Sequence, residues 1–70
     1  MKKTIGLKNY TGFIDDKVVA FEHNLRGEDD GVVMHLDDNF NVTDYEGCYE
    51  IPAEVVAFMI KKGYGLRDVV

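Results

Sequence analysis

Pro52 divides the chain into two kinds of pattern. Before it, short runs of apolar residues alternate with turn-forming residues; after it, "PAEVVAFMIKKG" reads as a single helix. Proline suits a helix's first turn, where its missing N–H is not needed. Glu54 falls at the positive end of the helix dipole and Lys61 and Lys62 at the negative end. Gly63 is the expected stop.

The part before Pro52 reads as strands. A first strand is expected near residues 3–9. "TGFIDD" followed by "KVVAFEHN" reads as strand, turn, strand, with Asp15 and Asp16 as the turn and Val18, Val19 and Phe21 favouring extension. "LRGEDDG" reads as a loop punctuated by Gly27 and Gly31. "VVMHL" places Val32, Met34 and Leu36 on one face and Val33 and His35 on the other. "DDNFN" is turn chemistry, because Asp and Asn bond their own main chain. With loop residues 38–41, His35 lies across from Asp44. "VTDYEGCYEI" then alternates, with Thr43, Tyr45, Tyr49 and Ile51 on one face and Asp44, Glu46, Cys48 and Glu50 on the other. Gly47 marks a candidate bulge, and "LRDVV" is a tail that could add a last strand. The order implies an α+β fold: a small antiparallel sheet of four or five strands followed by one C-terminal helix packed on it. Residues 1–70 form a single domain.

A domain of seventy residues buries only about 60% of the surface its unfolded chain exposes, so its stability is marginal without help. Cys48 is the one cysteine, which rules out an intrachain disulfide, and no Cys/His spacing fits zinc. Tight packing or self-association must serve instead. The helix raises the second option, because Ala53, Val55, Val56, Ala57, Phe58, Met59 and Ile60 cover nearly all its circumference. Packing on a sheet needs a stripe of about 100°. Either the tail "YGLRDVV" covers the rest or another chain does, and in the second case Val55, Phe58 and Met59 are the docking residues of a homodimer or partner contact.

Charge is segregated. The chain has net charge −5, yet residues 27–60 contain nine acids and no lysine or arginine. The flanking segments, 1–26 and 61–70, each carry two more cations than acids. Excluding cations forgoes the cross-strand ion pairs that sheet surfaces normally use. Like charges held together repel unless a partner uses them. The expected partner-binding residues are Glu28, Asp29, Asp30, Asp37, Asp38, Asp44, Glu46 and Glu50. The expected partner is a basic protein, which could itself be a nucleic-acid-binding one. Direct binding to nucleic acid through its phosphates is disfavoured by the acidic balance, as is attraction to anionic membranes.

Chemistry is sparse. Asp37, Asn39 and Asn41 echo the start of a calcium loop, but Val42 stands where glycine is required and Cys48 where a bidentate glutamate is. A turn explains the same residues, so no metal is expected. Cys48 with His23 or His35 could be drawn as nucleophile and base, but Asp44, Glu46 and Glu50 nearby oppose a thiolate. No Ser-His-Asp order or phosphate-cradling glycine loop occurs. The chain therefore reads as a non-enzyme without catalytic residues or cofactor.

The start "MKKTIGLKNY" lacks the apolar run of a signal peptide, and the longest apolar run, Val55 to Ile60, is too short to span a bilayer. A reduced cytoplasmic location is expected, with Cys48 free. In size and composition alone, the chain resembles the small accessory or inhibitory proteins of bacteriophages, which would place it in host cytoplasm. The first functional reading is thus an inhibitor or modulator docking an acidic surface on a basic protein. A nucleic-acid mimic is the second, since alternate strand residues about 6.6–7 Å apart approach phosphate spacing. An assembly protein built on the apolar helix is the third.

Overall fold

The computed structural model describes residues 2–70. Five strands follow one another as β1 (Lys2–Gly6), β2 (Tyr10–Asp15), β3 (Val18–His23), β4 (Gly27–Leu36) and β5 (Val42–Glu46), and the helix α1 spans Ala53–Lys62. The strands form one antiparallel sheet in the order β1-β2-β3-β4-β5, each paired with its neighbour in sequence. The expected α+β architecture is the observed one.

Period two sorts the strand residues onto two faces. One face carries Tyr10, Val19, Phe21, Val32, Met34 and Leu36, all buried. Val55 and Met59, one helical turn apart, complete the core from α1, and Ile51 and Leu66 close its ends. Each fully buried aliphatic or methionine side chain here contributes about 1.5–3 kcal/mol. Phe21 stacks edge-on against Phe58 of the helix, with ring centroids 5.5 Å apart. The Phe21 ring also lies over its register partner Gly12. A Cβ at Gly12 would run into the Ala20 carbonyl and the Phe21 ring, so only glycine fits beneath that aromatic side chain.

The helix ends as its sequence implies. Gly63 is left-handed, with φ 87°, and its N–H donates to the Ile60 carbonyl. Its far side bears Ala53, Ala57 and Ile60, which are exposed. Val55 and Met59 are wholly buried against the sheet and Phe58 is half-buried against it. This corrects the expectation of a docking surface at Val55, Phe58 and Met59: the chain's own sheet occupies that side.

Three other expectations change. Residues 27–30 are strand rather than loop, because β4 continues past its apolar part to pair Gly27 with His23. An irregularity absorbs the mismatch, since Phe21 pairs with Val32 and His23 with Gly27. Strand β5 stops at Glu46, where Gly47 takes φ 95°, so Cys48, Tyr49 and Glu50 leave the sheet. The tail adds no full strand. It makes one parallel bridge, Gly65 with Asn41, sealed by Val42 N–H donating to the Gly65 carbonyl (2.7 Å) and Gly65 N–H to the Phe40 carbonyl (3.0 Å).

Candidate docking face

Among the described residues, no element lies over the face of the sheet opposite the helix, and strand register lays it out in rows. One row runs Lys2, Asp15, Val18, His35, Asp44 from β1 to β5; the next runs Thr4, Phe13, Ala20, Val33, Glu46. A third begins with Gly6, Thr11 and Glu22. The same alternation that sends Val19 and Phe21 inward therefore sends Val18, Ala20 and Glu22 outward. Phe13, Ala20 and Val33 are half-buried and make an apolar floor. Around it lies an open groove of about 580 Å³ whose walls include Lys2, Thr11, Glu22 and Glu28. Asp44 and Glu46 stand exposed at the β5 side.

The register brings His35 opposite Asp44, as the hairpin reading expects. It brings together only part of the acidic set. Glu28, Asp44 and Glu46 belong to the open face. Asp30 is tied to Arg26 at 3.1 Å, and Asp38 is paired with Lys17. The missing cross-strand cations are thus supplied from outside the acidic segment. Asp37 is spent on the β4–β5 loop, accepting the N–H groups of Asn39 (2.8 Å) and Asn41 (2.9 Å) and the Asn41 side-chain amide (3.2 Å). These donors hold its carboxyl below the ordinary aspartate range, led by the Asn41 backbone. The turn's own amides thus occupy those oxygens. Asp29 is exposed on the polar extension of β4, and Glu50 sits in the segment between β5 and α1. The expected trio of Asp44, Glu46 and Glu50 on one strand face is therefore a pair.

Glu54 also turns inward to the fold. It accepts the Asn9 N–H (3.0 Å) and the Asn9 amide (2.9 Å), tying α1 to the β1–β2 connection, and those bonds lower its pKa. The Cys48 thiol is half-buried; burial, then Asp30, pushes its pKa up, so the thiol is held protonated. Among the described residues, no group of three or more His, Cys, Asp or Glu side chains is arranged to hold a metal ion, and no helix is long and apolar enough to cross a membrane.

Four residues of the open face carry no mark in the sequence that would single them out: Phe13, Ala20, Glu22 and Val33. A faint signal lies in "KVVAFEH", whose outward positions carry a valine, an alanine and a glutamate, a mixed surface rather than a purely polar one. Glu22 lies outside the cation-free segment, so charge segregation does not reach it. Comparisons with protein families, with curated proteins and with solved structures returned no match.

Proposed function

We propose that this chain is a small, non-enzymatic binding protein, an inhibitor or modulator that receives a basic protein partner on the open face of its sheet. One observation carries the reading: an apolar floor of Phe13, Ala20 and Val33 lies among the carboxylates Glu22, Glu28, Asp44 and Glu46 on a face that no element among the described residues covers. An apolar centre with a charged rim is the anatomy of a protein interface. The carboxylates steer and orient the partner, while the floor supplies the desolvated contact. In this reading the protein works in a reducing cytoplasm, and Cys48 takes no part in its action.

Two double reversals test the proposal. Asp44→Lys with Glu46→Lys changes the open face; Glu50→Lys with Asp68→Lys changes the net charge equally elsewhere. A partner captured from lysate of the native cell should associate more slowly with the first variant, and with a flatter dependence on salt. The second variant should behave nearly as wild type. Equal behaviour of the two folded variants would sink the proposal, as would a captured partner whose association ignores salt.

A further inference from the structure

The groove on the open face already holds one cation. The Lys2 Nζ sits 4.3 Å from the centre of the Phe13 ring. Lys2 is the one lysine or arginine that the strand register places on this face among the described residues; Lys3 falls on the opposite face, paired with Ile14. Glu22 lies on the far diagonal of Phe13 from Lys2, two residues along β3 from Ala20, Phe13's partner. Glu28 shares the same groove wall. Aromatic ring, small floor residue and two carboxylates thus line one groove, and the ring and the carboxylates each attract a positive charge placed in it.

We infer that this groove is a seat for an arginine side chain of the basic partner, stacked on Phe13 and facing Glu22 and Glu28, and that Lys2 fills the seat until the partner displaces it. The inference rests on the docking reading above and deepens it by naming the group recognised. Arginine suits the seat better than lysine. Its guanidinium is planar, stacks on aromatic faces and is more weakly hydrated than an ammonium, so it gives up less to lie on the ring. It can also present two N–H groups to a carboxylate at once, which Lys2 cannot do from its tether. The alanine at position 20 leaves the neighbouring surface low enough for a flat group to lie down.

Binding of a fluorescent octa-arginine peptide, followed by anisotropy, tests this. Phe13→Leu should weaken binding about two- to fivefold, the scale of an exposed cation–π contact of about 0.5–1 kcal/mol. Phe13→Tyr, which keeps the ring, should bind as wild type. Lys2→Ala should bind more tightly than Lys3→Ala, although both remove one positive charge from the same strand. Wild-type affinity in folded Phe13→Leu, or equal affinity of the two lysine variants, would overturn the seat. If Phe13→Leu does not fold, the lysine pair decides alone. The docking reading is tested separately by Asp44→Lys with Glu46→Lys in the same assay: weakened binding there, with no effect at Phe13 or Lys2, leaves docking standing and removes the seat. No effect of any variant removes both.

Discussion

Val18 and Val19 are adjacent in β3, yet they live in different environments. Val19 is fully buried under α1, beside Met34 and Phe21; Val18 is half-exposed between Asp15 and His35. The same contrast separates Val32 from Val33 and Phe21 from Phe13. One sheet thus carries two apolar surfaces. The covered one is continuous and closed by the helix, and it supplies the stability of a chain with no disulfide to help it. The open one is only half-buried and is broken by charges. In the docking reading proposed above, the apolar floor among the carboxylates matters as much as the acidity.

Truncation on each face breaks the comparison most directly. Met59→Ala, on the covered face, should cost about 2–5 kcal/mol in a urea melt, because the helix cannot settle far enough to fill the cavity. Val33→Ala, on the open face, should cost about 1 kcal/mol or less. Similar losses at the two sites would mean that the open face is structural.

Gly12→Ala probes the covered face where the backbone approaches closest. Its Cβ has no room beside Phe21 and the Ala20 carbonyl. A loss of about 1–3 kcal/mol is expected, because the β3 backbone at Ala20 must shift as well as the Phe21 ring. A substitution that stabilises the protein, by the usual gain of alanine over glycine, would show that the β2–β3 backbone yields there at little cost.

Acid sharpens the comparison in a different way, because two carboxylates are committed to holding the fold. Asp37 and Glu54 have folded pKa values below their ordinary 3.8 and 4.5. A lowered folded value means that stability is present above the unfolded pKa and is lost as pH falls through the folded one. Stability should therefore decline from about pH 4.5 downward. The double variant Asp37→Asn with Glu54→Gln should show a flatter decline in thermal melts across that range. An unchanged slope would show that the loop and helix contacts of these carboxyls carry no weight.

Much of this arrangement is legible in the order of the residues. Strand positions in "VVMHL", the pairing of His35 with Asp44, and a helix ended by Gly63 each follow from a local rule that nothing distant opposes. Two segments are not legible, for opposite reasons. "GEDDG" has the composition of a loop, yet its backbone is extended and Gly27 pairs with His23 beyond an irregularity in the β3–β4 register; tertiary context outweighs local preference. "YEGCYEI" has the alternation of a strand, but Gly47 at φ 95° turns the chain out of the sheet, and Ile51 reaches the core from the helix side instead. The acids mislead for a third reason. Charge counted along the chain does not reveal that Lys17 and Arg26 fold back onto Asp38 and Asp30.

The joining of Gly65 to Asn41 has a consequence for how the chain assembles in time. Every strand pairs with its neighbour in sequence, so the sheet can grow by successive hairpins, each closing a short loop, and low contact order favours rapid folding. The tail is the exception. Its clasp on the β4–β5 loop needs both the finished hairpin and the finished helix before either hydrogen bond can form. It is expected to form after the rate-limiting step, where an interaction leaves the speed of folding alone and instead slows the escape from the native state. Gly65→Pro, which removes one of the two donors, is therefore expected to speed unfolding in stopped-flow measurements while leaving the folding rate nearly unchanged.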